Sequence, residues 1–131
     1  MVSIGFFSCQ PKKNGTPSST MTATVNGVSF VANSVTASDI SGSFLITGTT
    51  AAGQEITISI PDLSSSTTSY TIDSLYHQAF YYVNTNTTPT TAKSGTFTIT
   101  LNGTASGTGT FAFTCKDGTA VSNGVYTAYF N

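Results

Sequence analysis

From Gly95 the chain reads Thr96-Phe97-Thr98-Ile99-Thr100-Leu101, and from Thr110 it reads Thr110-Phe111-Ala112-Phe113-Thr114-Cys115. Large apolar side chains recur at every second position, with threonine or a small residue between them. That spacing gives a strand one apolar face and one hydroxyl face, and it cannot form the apolar stripe of a helix, whose period is 3.6. The two runs are separated by Asn102-Gly103 and Gly107-Thr108-Gly109, and they read as a hairpin with Cys115 as a small residue on the core face.

The same period runs through the rest of the chain. Met21, Ala23 and Val25 alternate up to Asn26-Gly27, and Val28, Phe30 and Ala32 alternate after it; Asn-Gly is the turn dipeptide of a two-residue hairpin. Phe44 and Ile46, then Ile56, Ile58 and Ile60, form a further pair joined by a loop that contains Gly48 and Gly53. Tyr70 and Ile72 mark a short strand, Phe80 to Val83 another, and Val125 to Phe130 the last. The pattern predicts an all-β, antiparallel sandwich or closed barrel of about nine short strands, with no segment of helical period.

Length and charge narrow the functional classes. A chain of 131 residues forms one domain with a core of its own. Serine and threonine make up about a third of it, and only 7% of residues are charged. Nucleic-acid binding requires clustered lysine and arginine, and four such residues with a net charge of -1 give no basic face. After Cys9 no apolar stretch approaches the roughly 18 residues that a membrane-crossing helix needs.

The first nine residues, Met1-Val2-Ser3-Ile4-Gly5-Phe6-Phe7-Ser8-Cys9, are uncharged and apolar and stop at a small residue followed by cysteine. Bacterial lipoprotein signals end in this way, and the cysteine then carries the acyl chains. No basic residue precedes the run, so the full signal is expected to begin further upstream. The competing reading is an ordinary N-terminal strand whose cysteine is free or paired with Cys115. Gln10 to Thr20 holds two prolines, Lys12-Lys13, Asn14-Gly15 and a Ser/Thr cluster, and reads as a flexible spacer. The expected organisation is a signal remnant over residues 1–9, a spacer over 10–20 and a β-sandwich domain over 21–131.

Several stretches together carry a family likeness. Met21-Thr-Ala-Thr-Val-Asn-Gly-Val-Ser-Phe-Val-Ala32, Gly53-Gln-Glu-Ile-Thr-Ile-Ser-Ile60, Ser69-Tyr-Thr-Ile72, Ser94 to Leu101, Gly107-Thr-Gly-Thr-Phe-Ala-Phe113 and Ser122-Asn-Gly-Val-Tyr126 resemble uncharacterised lipoproteins of the Bacteroidota phylum. The resemblance covers residues 21–131 and implies an all-β fold and a cell-envelope address, at the outer membrane or cell surface. It implies no activity and no cofactor. Phe30 stands where the pattern often has Trp, and the absence of an acidic cluster after Cys9 leaves the leaflet open. Asp73-Ser74-Leu75 resembles the O-glycosylation acceptors of that phylum, with Ser74 as the acceptor; the Asn-x-Thr triplets at Asn14, Asn86 and Asn102 carry little meaning in a bacterium.

Candidate chemistry is sparse. His77 has no second His, Cys or carboxylate at metal-ligand spacing and reads as a solvated loop residue, so no metal or cofactor is expected. Asp39, Glu55, Asp62, Asp73 and Asp117 are scattered along the chain. Gly103 to Gly109 lacks the lysine and the helix of a phosphate loop and reads as a turn. Cys115 has no His or Asn beside it, and a reactive thiol is not expected. The run Tyr76-His77-Gln78-Ala79-Phe80-Tyr81-Tyr82 puts aromatics on both faces of one strand, so that one set either packs under a long loop, the favoured reading, or makes Tyr76, Tyr81 and Tyr82 a contact surface for a sugar, a peptide or a neighbouring subunit; the absence of Trp counts against the sugar. Three readings follow. The leading one is a non-catalytic binding or accessory module, held on a membrane by lipid at Cys9, that binds a protein or glycan. The second is a filament or surface-layer subunit self-associating by strand addition, and the third is an enzyme.

Overall fold

Asn26 and Gly27 both adopt positive φ, 49° and 83°, the geometry that lets strands flank a two-residue turn without splaying. They join β1 (Thr20–Val25) to β2 (Val28–Val31). Ser41 and Gly42 do the same, at 54° and 88°, between β3 (Ser34–Ile40) and β4 (Ser43–Thr49). The remaining strands are β5 (Glu55–Ile60), β6 (Ser69–Ile72), β7 (Gln78–Tyr82), β8 (Thr90–Thr98), β9 (Thr100–Asn102), β10 (Ser106–Cys115) and β11 (Ala120–Tyr129). These assignments come from a computed structural model, which describes residues 18–130. Every pairing is antiparallel, and among the described residues no helix is long and apolar enough to cross a membrane.

The strands form one sheet in the order β2-β1-β11-β10-β8-β7-β5-β4-β3, with β6 added to β8 and β9 to β10. Its two end strands, β2 and β3, are consecutive in sequence and joined through only Ala32 and Asn33. Ala32 N–H donates to the Met21 carbonyl, extending the β1–β2 ladder, and Asn33 N–H donates to the Thr49 carbonyl, extending β3–β4. A two-residue link spans less than about 11 Å, so the sheet has to roll until its ends meet. β3 comes close to β1 and β11, and Gly48 on β4 faces the Met21 side chain with no room for a Cβ. The fold is an all-β half-barrel. β8 is the corner: its first two residues pair with β7, and Ala92 to Phe97 pair with β10.

Inside this roll lie Phe44, Ile46, Ile56, Ile58 and Ile60 from one half and Phe97, Phe111, Phe113, Met21 and Tyr126 from the other. Phe97 stacks on Tyr126 at 5.2 Å, and Phe44 packs on Phe97 at 5.5 Å, so aromatic rings bridge the two halves. The 96–101 and 110–115 runs do form a hairpin, with Phe111 opposite Phe97, but the first run breaks at Ile99 into β8 and β9. There the ladder is repaired by side chains. Thr110 N–H donates to Thr98 Oγ1 at 2.9 Å, and the Tyr126 hydroxyl donates to the Thr98 carbonyl at 2.6 Å. Tyr126 lies opposite Gly109, where a Cβ would sit 1.9 Å from that carbonyl.

Eleven strands replace the expected nine. Besides the division at Ile99, β3 escapes the periodic reading because its inward residues are Val35 and Ala37, too small to stand out, and Ile40 is exposed. Val28, expected on the core face, is 65% exposed because it closes the turn at the end of the hairpin. Thr20, expected in the spacer, already pairs with Thr127 as the first residue of β1.

The core assignment makes a direct test. Phe113 is buried, while Ala112 on the opposite face is half-exposed. Phe113→Ala should cost about 3 to 5 kcal/mol and Ala112→Ser less than about 1 kcal/mol in denaturant unfolding. Equal midpoints for the two variants would show that the register of β10 is wrong.

Candidate functional site

β5 and β7 lie side by side, with Glu55 opposite Tyr82 and Thr57 opposite Phe80. Alternation buries Ile56, Ile58 and Ile60 from β5 and Ala79 and Tyr81 from β7. What is left outside is a strip of Glu55, Thr57, Phe80 and Tyr82, all half-buried, bordered by Thr47 and Thr49 of β4. The polar members are linked. Thr57 Oγ1 donates to Glu55 Oε2 at 3.1 Å, Thr49 Oγ1 reaches Glu55 Oε1 at 3.5 Å, and the Thr47 and Thr57 hydroxyls meet at 3.2 Å. With the Thr57 proton committed to the carboxylate, Thr47 is the donor in its bond to Thr57. Glu55 is therefore oriented before any ligand arrives, and the row presents acceptors to the solvent.

Of the three tyrosines expected to share a contact surface, the structure keeps only Tyr82 on the sheet face. Tyr81 points inward, is 5% exposed, and accepts a hydrogen bond from Gln54 Nε2 at 2.9 Å. Period two dictates this, because Tyr81 and Tyr82 are neighbours in one strand and must point to opposite faces. Phe80 is the residue that shares the face of Tyr82, and its position two residues before Tyr82 was the available signal. Tyr76 lies in the 73–77 loop, 53% exposed, with its ring 5.0 Å from that of His77.

That loop is ordered by Asp73. Its carboxylate accepts the Tyr76 and Leu75 amides, both at 2.8 Å, and these bonds hold the carboxyl below the usual carboxylate range. Ser74 is half-buried, and its carbonyl accepts from Gln78 Nε2 at 3.2 Å. Cys9 falls outside the described residues. Cys115 is fully buried and has no disulfide partner among the described residues, and burial first, then the charge of Asp117, pushes its thiol up to about 11. Such a thiol stays protonated near neutral pH and is a poor nucleophile.

His77 differs from the solvated loop residue expected. Its Nδ1 faces the Thr71 carbonyl at 3.0 Å and its Nε2 faces Asp62 Oδ1 at 2.6 Å. Both ring nitrogens thus face fixed groups of the protein itself, one a backbone carbonyl and one a carboxylate. The pair ties the 61–68 loop to the 73–77 loop, with the ring edge-on to Tyr70 at 5.3 Å. Among the described residues no group of three metal-ligating side chains forms. The Gly103 to Gly109 segment is the turn between β9 and β10 and the start of β10, and beside it a hollow of about 250 Å³ is lined by hydroxyls such as Ser64, Thr67 and Thr100, without an ionisable group.

A family model described as Domain of unknown function (DUF6252) matches residues 17–130. No curated protein and no solved structure matches the chain.

The two adjacent tyrosines of β7 separate core from face. Tyr81→Ala should lower stability by roughly 3 to 5 kcal/mol, as removal of a buried ring does, and Tyr82→Ala by no more than about 1 kcal/mol. Thermal unfolding of both variants decides the matter; a larger loss at Tyr82 would invert the assignment of the two faces.

Proposed function

Since the chain belongs to the DUF6252 family of domains of unknown function, we propose its role from its own surfaces: it is a cell-envelope lipoprotein that acts as a non-catalytic binding module displayed on a half-barrel. The observation that carries this reading is the outward strip of Phe80 and Tyr82 beside a carboxylate held in place by threonines. Aromatic rings set in a rigid sheet face, with polar groups fixed next to them, bind without chemistry. The His77–Asp62 pair supports the same reading, because both ring nitrogens are taken up in contacts that tie two loops together. The link between β2 and β3 favours display over filament assembly by strand addition. It brings the two ends of the sheet together, and β2, with four residues, offers a short edge.

Anchoring is tested at the cysteine. Mass spectrometry of the native protein should find an acylated Cys9 as the first residue, and Cys9→Ala expressed with the complete upstream signal should move the protein from the membrane to the soluble fraction. An unmodified Met1 to Cys9 segment on the native protein would sink the lipoprotein reading.

Binding is tested with an inserted reporter. The chain has no tryptophan, so Tyr82→Trp places a single indole on the strip. Its emission should shift to the blue when solubilised envelope polymers from the source cells are added. An emission spectrum indifferent to every such fraction would overturn the binding reading.

A further inference from the structure

We infer that the β5–β7 strip is a site for a neutral polysaccharide chain, stacked on Phe80 and Tyr82 and hydrogen-bonded by Glu55. The inference rests on the binding-module reading and names its ligand class. Three observations fix that class.

The first is the mixture of surfaces at neighbouring positions. Tyr82 is the direct cross-strand neighbour of Glu55, and Phe80 of Thr57, at separations of about 5 Å. A pyranose lying flat on either ring places its C–H face on the aromatic and its equatorial hydroxyls over the adjoining strand. Phe80 and Tyr82 are two residues apart on one strand, roughly 7 Å along it, so both rings can serve one continuous chain.

The second is the direction of the hydrogen bonds. The donor chain from Thr47 to Thr57 to Glu55, with Thr49 on the other carboxylate oxygen, turns the threonine protons towards Glu55 and leaves oxygen lone pairs facing outward. An acceptor-rich surface calls for a ligand rich in O–H donors.

The third is charge. Across β4, β5 and β7 the one charged residue is Glu55, opposite Tyr82; the lysines of the neighbourhood lie on the far side of Phe80, Lys93 two residues beyond its β8 partner Thr91 and Lys116 with its N–H on the Thr91 carbonyl. A sulfated or uronic-acid polymer stacked on Tyr82 would set its anionic groups against the Glu55 carboxylate, which is repulsive. The strip lies on a sheet face, which suits an extended polymer better than a small molecule that needs enclosure.

The test uses the mature full-length protein on an array of neutral oligosaccharides, acidic oligosaccharides and oligolysine, followed by titration of the best binder. Neutral oligosaccharides should bind, and Phe80→Ala and Tyr82→Ala should each weaken them about ten-fold, the size of one lost stacking contact. Glu55→Gln should weaken them by a similar factor through loss of a charge-assisted acceptor, about ten-fold. Phe80→Tyr, which keeps the ring, should retain binding, and so should Tyr76→Ala, which lies off the strip. Melting curves of each variant separate lost binding from lost folding. Binding of acidic oligosaccharides or oligolysine in place of neutral ones, through Phe80 and Tyr82, would overturn the ligand class while the binding module stands. Binding of no neutral glycan, or binding that survives both Phe80→Ala and Tyr82→Ala, would overturn the site.

Discussion

The Thr98 carbonyl is the point on which the rest of the structure depends. Where β8 gives way to β9 the backbone ladder to β10 is interrupted, and an unpaired carbonyl beneath the sheet would carry a desolvation cost of roughly 1 to 3 kcal/mol. The Tyr126 hydroxyl reaches it from β11, one strand beyond β10, and can do so only because Gly109 lies between them without a side chain. The same phenol ring stacks on Phe97, which packs on Phe44 from the opposite half. One hydrogen bond thus fixes the ring that joins the two halves. Burial, with a smaller contribution from Tyr70, pushes the Tyr126 phenol well above its ordinary range, so the proton it donates is retained.

From that junction the outer surfaces follow. Rolling the sheet so that β2 and β3 meet leaves a continuous inner face and, away from the bulges of β1, β8, β10 and β11, sends alternate residues to the outside. Most outward positions are Thr or Ser, whose hydroxyls satisfy one another across strands, as Thr98 and Thr110 do at 2.8 Å. Against this background Phe80 and Tyr82 are two outward rings on one strand, where the other strands carry at most one, Tyr129 of β11. The cost of exposing them is the physical reason to read the strip as a contact surface.

Much of the fold is legible in local pattern. Phe44, Ile46, Ile56, Ile58 and Ile60 each occupy the interior that their alternation implies, and Asn26-Gly27 makes the hairpin that the dipeptide implies. The failures have physical causes. β3 is invisible because an end strand packed on one edge can bury small residues such as Ala37 and leave Ile40 exposed. The break at Ile99 leaves no trace in the Thr-x-Thr alternation, because the apolar period continues through it while only the hydrogen bonding changes. The aromatic surface was legible as a composition, a run of rings between Tyr76 and Tyr82. Its membership was not, because the phase of β7 relative to the core depends on β5 beside it.

By itself the sequence determined the strand period, the hairpin turns, the apolar set that must be buried and the scarcity of charge; each of these is local chemistry, carried by neighbouring residues. Only the tertiary structure decided that Tyr81 belongs to the core and Phe80 to the surface, that Glu55 sits across from Tyr82, and that His77 bridges Asp62 and Thr71. Those relations join residues many positions apart, and register between strands is set by how the whole sheet rolls and closes its core, a cooperative outcome that no single segment encodes.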